Sequence, residues 1–306
     1  MSFAPPSEQR LDYAGVFELR KLRLGGGWGL VKGPARRPSR QSLATEFRVS
    51  RAWQAPLRQW EPRVRLPQVW SYDAAGHRLW REWIEGRRWR FAGACNRTRE
   101  RRREEWQALG RWLGGLHRLS RRGRADPWSG LITDWEKPSV EAGLRRLGLP
   151  ELHPEVLRQL RCRQRQAPLA WPQCRLHGDF SPAQILETPQ GLAVLDLASS
   201  RRGMDFEDLA SWLAYCDLRL PRRRRCEWRA FYRGYGPAEY GLERWRMELQ
   251  QWARMRALVR WTERGWQRHG CGRRWIERLR MHRARRRLLH LSARLERRLP
   301  RETSTG

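Results

Sequence analysis

The stretch from Leu176 to Asp208 constrains the chain more than any other. It opens Leu176-His177-Gly178-Asp179-Phe180-Ser181-Pro182-Ala183-Gln184-Ile185-Leu186. The turn signal Thr188-Pro189-Gln190-Gly191 follows, and a second apolar run, Leu192-Ala193-Val194-Leu195, ends on Asp196. Two short apolar runs about a Pro/Gly turn predict a β-hairpin. That hairpin has Asp179 ahead of it and Asp196 at its exit. Carboxylates fixed on rigid backbone suit a paired task, one taking a proton and the other holding a cation.

The segment resembles the catalytic hairpin of the protein-kinase-like small-molecule phosphotransferases, the aminoglycoside phosphotransferase and choline kinase group that includes the lipopolysaccharide core kinases. The resemblance rests on His177, Asp179, Asp196 and Asp208 with strand patterning between them. It implies a two-lobed α+β fold: a small antiparallel β-sheet N-lobe with one helix, residues 1–86, and a larger, mostly helical C-lobe, residues 87–306, carrying the hairpin. It also implies that Asp179 accepts the proton of the acceptor hydroxyl while His177 holds the loop, and that Asp196 binds Mg2+ bridging the phosphates of ATP. Asp208, in Asp208-Leu209-Ala210, matches the acid that braces the loop from the next helix.

The chain departs from the pattern twice. Gln184 stands where the family has Asn as the second metal ligand. A Gln keeps the carbonyl oxygen but is one methylene longer, and Mg2+ tolerates little error in ligand distance. Leu197-Ala198 replaces the Phe-Gly or Trp-Gly that follows the metal-binding Asp, leaving the ligand itself in place.

Upstream, residues 16–24 read as a strand, and Gly25-Gly26-Gly27 reads as the turn into a second, Trp28-Gly29-Leu30-Val31-Lys32. The triglycine lies too close to Lys32 to cradle phosphates, and by the family's spacing a phosphate loop falls near Asp12-Tyr13-Ala14-Gly15. Lys32 ends an apolar strand in a chain with only three lysines, Lys21, Lys32 and Lys137. It is a candidate contact for the α- and β-phosphates, against the alternative of a solvated strand-end lysine. Residues 39–54 carry helix start signals and place Leu43, Phe47, Ser50 and Trp53 at helical spacing. Glu46 lies beside that apolar face and matches the acid that orients the lysine, with Glu61 or a surface role as alternatives. A later strand runs to Gly86, and the resemblance makes it the approach to a hinge where main-chain groups from Glu82 to Ile84 meet adenine.

Residues 104–119 form an amphipathic pattern with Trp106, Leu109, Leu113 and Leu116 on one face, and His117 reads as a packing residue. Helical patterning returns over 138–163 with a break at Pro150 and Pro154, and dominates from Phe206 to the end. Residues 231–236, Phe-Tyr-Arg-Gly-Tyr-Gly, resemble the helix end that follows the catalytic core of the lipid-sugar kinases.

The formal net charge is +32, which favours anionic partners. Nearly all basic residues are arginines, a bias that a GC-rich coding sequence also produces, so charge alone is weak evidence for nucleic-acid binding. No zinc-finger, helix-turn-helix or RNA-recognition signature accompanies it, and a nucleic acid is not the expected partner. The expected acceptor is a small molecule or a glycolipid, with peripheral contact to an anionic membrane surface. Six cysteines without a C-x-x-C pair indicate a reducing compartment without structural zinc. The N-terminus lacks a signal-peptide pattern, and no apolar run reaches the ~18 residues that span a bilayer. The expected location is the cytoplasm or the inner membrane face. A kinase-like module without turnover, its metal site weakened by Gln184, is the competing reading.

Overall fold

The computed structural model describes residues 8–11, 17–24, 27–35, 42–89, 99–166, 170–219, 225–237, 243–268 and 274–296. In chain order these form β1 (Glu8–Leu11), β2 (Phe17–Leu24), β3 (Gly27–Ala35), α1 (Leu43–Trp60), β4 (Val64–Arg65), β5 (Val69–Asp73), β6 (Arg78–Glu82), β7 (Arg87–Arg88) and α2 (Arg99–Leu119). β8 (Arg124–Ala125), α3 (Pro127–Trp135), α4 (Pro138–Arg146), α5 (Leu152–Gln166) and β9 (Trp171–Leu176) follow. The candidate hairpin is β10 (Ile185–Thr188) and β11 (Gly191–Val194). After it come β12 (Arg201–Met204), α6 (Asp205–Arg219), α7 (Arg225–Tyr235), α8 (Glu243–Arg268) and α9 (Arg274–Glu296). The protein is thus α+β, with a small antiparallel sheet near its N-terminus and a mostly helical C-terminal part.

Two compact units share these elements. The first comprises Met1–Ser120, Arg175–Arg202 and Arg225–Gly236; the second comprises Arg121–Cys174, Gly203–Arg224 and Pro237–Gly306. The proposed phosphate loop at 12–15 lies outside the described residues.

In the first unit an antiparallel sheet runs β1-β2-β3-β6-β5. β2 and β3 pair as far as Leu24 and Gly27; the expected turn at Gly25-Gly26 lies outside the described residues. Directly opposed residues share a face of a sheet and alternate along each strand. Lys32 opposes Leu19 on β2 and Leu79 on β6, and Leu30 opposes Lys21 and Arg81. Lys32, Lys21 and Arg81 therefore lie on one face. Phe17, Leu43, Leu79 and Ala198 make a small apolar core there, with Phe47, Val69 and Tyr72 packed against it.

α1 begins where Ser42 caps it, its hydroxyl accepting from Thr45 N at 3.2 Å. The Ser42 N–H donates to Ala198 O at 2.9 Å, which fastens the helix to the backbone two residues past Asp196. The helix continues beyond the expected end at 54, through Pro56 to Trp60. Burial of Leu57 in that added length offsets the hydrogen bond that Pro56 removes.

In the second unit α3, α4, α5, α6, α8 and α9 enclose a core that includes Trp128, Trp135, Leu144, Leu160, Phe206, Trp252, Leu258 and Leu288. α3 starts at a capped turn: Asp126 accepts from Trp128 N and Ser129 N, and Pro127 opens the helix. Asp208 is buried in the first turn of α6.

Candidate active site

Every residue singled out for chemistry, Lys32, Glu46, Glu82, Ile84, His177, Asp179, Gln184 and Asp196, belongs to the first unit. Lys32 is buried, and its Nζ bonds Glu46 Oε2 at 2.5 Å and Asp196 Oδ1 at 2.9 Å. One ammonium thus ties β3, α1 and the segment after β11. Glu61, the alternative partner, instead accepts from Arg111 Nε at 2.5 Å and Arg63 Nε at 3.2 Å. Burial pushes the Lys32 ammonium down, but Asp196 and Glu46 reverse this and hold it above the ordinary lysine range, with Arg81 opposing them. Burial pushes Asp196 up, and Lys32, followed by Arg81 and His177, pulls it below the ordinary carboxylate range. Asp196 adopts a left-handed backbone, φ 65° and ψ 67°, which short polar side chains tolerate better than most.

The loop ahead of the hairpin is anchored by packing. His177 is fully buried and its Nε2 lies 3.0 Å from Leu195 O. Its Nδ1 accepts from Asp179 N at 3.4 Å. Phe180 stacks on Trp112 of α2, ring centroids 6.0 Å apart, and meets the His177 ring edge-on at 5.5 Å. Ser200 Oγ donates to Leu176 O at 2.6 Å. His177 is therefore a link between loop and hairpin, and it leaves Asp179 partly exposed at the loop's tip.

Gln184 ends a short 3-10 turn that starts at Pro182. Its carbonyl oxygen accepts from Leu195 N at 2.8 Å, so hairpin pairing places it beside the residue that precedes Asp196. Its side-chain Nε2 donates to Asp179 Oδ2 at 3.3 Å, across the reach its extra methylene gives. Among the described residues no three His, Cys, Asp or Glu side chains form a metal cage. Mg2+ does not need one: one or two protein oxygens, phosphates and water complete its shell. The Asp196 carboxylate and the Gln184 amide carbonyl are hard oxygen donors of that kind, and they fit it.

At the proposed hinge, the Glu82 side chain accepts from Arg65 at 2.7 and 2.8 Å and from Gln68 N at 3.2 Å. Glu82 N donates to Gln68 O at 2.8 Å, and Trp83 N to Trp28 O at 3.1 Å. Ile84 is buried, and none of the described hinge hydrogen bonds uses its backbone. Beside it, Lys21 Nζ lies 4.4 Å from the Trp28 ring centroid and 4.6 Å from that of Trp83, and pairs with Glu85 at 2.9 Å.

Arg81 is the residue the sequence reading missed. It is 7 % exposed, with Nε 3.9 Å from Glu46 Oε1. Its signal was the alternation in Arg78-Leu79-Trp80-Arg81, which sets Arg81 on the buried face of Leu79.

The model of the phosphotransferase enzyme family known as APH matches residues 22–247. No curated protein matches the sequence. Similar solved structures include aminoglycoside phosphotransferase APH(2'')-Ib with ADP bound, 13% identical over 93% of this chain and 94% of that one, TM-score 0.61. The macrolide 2'-phosphotransferase MphH from Brachybacterium faecium is 17% identical over 89% and 91%, TM-score 0.54. A choline/ethanolamine kinase family protein from Mesorhizobium loti is 17% identical over 96% and 93%, TM-score 0.53. These likenesses show a shared protein-kinase-like fold, and with most of its length matched by the family model the chain belongs to the APH phosphotransferase enzyme family.

Proposed function

We propose that this phosphotransferase moves the γ-phosphoryl group of ATP to a hydroxyl of a small molecule or sugar, with Asp179 as base. The observation that carries the reading is Lys32 bonded at once to Glu46 and Asp196, residues 14 and 164 positions away. Lys32 serves the α- and β-phosphates, Glu46 orients it, and the Ile84 main chain meets the base. Asp196 and Gln184 would hold Mg2+, which when bound would neutralise phosphate charge. Asp179 takes the acceptor's O–H proton as the acceptor oxygen bonds the γ-phosphorus and the bond to the β-phosphate oxygen breaks, releasing ADP. His177 keeps the loop that carries Asp179 joined to the hairpin. The small lobe in this reading ends near Gly86.

The net charge of +32 favours an anionic acceptor, such as a phosphorylated glycolipid core reached at a membrane surface. One observation favours a second reading, a nucleotide-binding module without turnover: the Gln184 amide is already engaged with Asp179.

The test is Mg2+-dependent ATP consumption with a panel of sugar, amino-sugar and glycolipid acceptors. Wild type turns over, and Asp179→Asn lowers kcat by about 10²–10⁴-fold, the usual contribution of a general base. Nucleotide binding without turnover on any acceptor would favour the second reading.

A further inference from the structure

We propose that Arg81 is a positioning residue of the nucleotide site, closing onto the second oxygen of Glu46 when Lys32 turns toward phosphate; this rests on the nucleotide reading above. The sheet register puts Arg81 on the same face as Lys32, two residues along β6 from Leu79, which Lys32 opposes. Its Nε stands 3.9 Å from Glu46 Oε1, beyond hydrogen-bond reach, and that buried Nε has no hydrogen-bond acceptor. An orphaned buried donor facing a buried carboxylate is a contact waiting to be made.

The charges give the reason. Within the cluster Lys32 and Arg81 balance Glu46 and Asp196. With a metal–nucleotide complex bound, Asp196 would turn toward the cation and Lys32 toward the phosphates. Glu46 is only 2 % exposed, and a buried carboxylate that loses its counter-charge is strongly disfavoured. Arg81 needs to move only about 1 Å to reach charge-assisted hydrogen-bond distance. Lys21, in the same row, is committed to Glu85 and the two indoles. Arg81 also already acts on both neighbours, opposing the charge on Lys32 and favouring that on Asp196.

Loss of Arg81 moves cation and nucleotide affinity in opposite directions, which loss of fold does not. Calorimetric titration of Mg2+ alone and of Mg·ATP into wild type, Arg81→Met and Arg81→Lys tests it. Arg81→Met weakens Mg·ATP roughly tenfold, strengthens Mg2+ alone, and raises the KM for nucleotide by more than it lowers kcat; Arg81→Lys restores most of the nucleotide affinity. Arg81→Gln, which keeps a donor without the charge, gives the same pair of signs should Arg81→Met fail to fold. Unchanged Mg·ATP affinity in Arg81→Met, or parallel loss of metal, nucleotide and kcat, overturns the proposal. Wild type that binds no Mg·ATP overturns the nucleotide reading itself.

Discussion

A Cβ at position 178 would lie 2.1 Å from the carbonyl oxygen of Ser199, and Gly178 has φ +82°. Both facts require glycine between His177 and Asp179, because the clash is with backbone and the conformation is left-handed. Gly178→Ala is expected to cost at least ~2 kcal/mol and to abolish turnover, read by urea denaturation and by initial rates. A stable, active Gly178→Ala would show that the loop does not need its present path. Much of this scale was legible in the sequence. His177, Asp179, Gln184 and Asp196 are local motif positions, whereas Glu46 and Glu61 are separated only by the structure, in which Lys32 bonds Glu46 and Glu61 pairs with Arg111 and Arg63. Arg81 was not legible as a partner of Glu46, because that contact depends on strand register. The Gln184 side-chain contact to Asp179 was equally hidden, since local pattern does not give a side chain's direction.

At the scale of elements, α2 and α7 show what pattern alone does not supply. Each was recognisable separately, α2 from its apolar stripe and α7 from its aromatic end. Their mutual packing was not, because it joins segments more than 100 residues apart in sequence. Built Cβ atoms at Gly110 and Gly114 would lie 2.1 and 2.8 Å from the carbonyl oxygens of Phe231 and Tyr235, and one at Gly234 would lie 2.0 Å from Gln107 O. Small residues thus let the two backbones touch. His117 Nδ1 and the Tyr235 hydroxyl, 2.8 Å apart, close the crossing, which supports the packing role read for that histidine. Trp112 of α2 and Phe231 of α7 both contact Phe180, so the crossing seats the loop that carries Asp179. Gly110→Ala is expected to destabilise by at least ~2 kcal/mol, an overpacking cost. Gly130→Ala, on α3 where a Cβ would meet nothing within 4 Å, is expected to stabilise by about 0.5–1 kcal/mol through helix propensity. Thermal melts of the pair check both; equal melting temperatures would contradict the close crossing.

For the molecule as a whole, composition was the least informative signal. Lys and Arg total 64 against 32 acids, so at least half the basic groups have no one-to-one acidic partner. Adhesion to polyanions follows from that excess and is screened by salt. The tryptophans, which in a basic chain suggest base stacking, are in good part core: Trp106, Trp112, Trp128, Trp135, Trp212 and Trp252 are fully buried. Among the described residues no helix is long and apolar enough to cross a membrane. The proposed chemistry centres on the ion-paired cluster of Lys32, Glu46 and Asp196. The measurement that tests it most directly is calorimetric binding of ATP with and without Mg2+ at moderate salt, wild type beside Asp196→Ala. Wild type is expected to bind ATP more tightly with Mg2+, and Asp196→Ala to stay folded but lose that gain. Identical Mg2+ dependence in the two proteins, or no nucleotide binding by wild type, would contradict it.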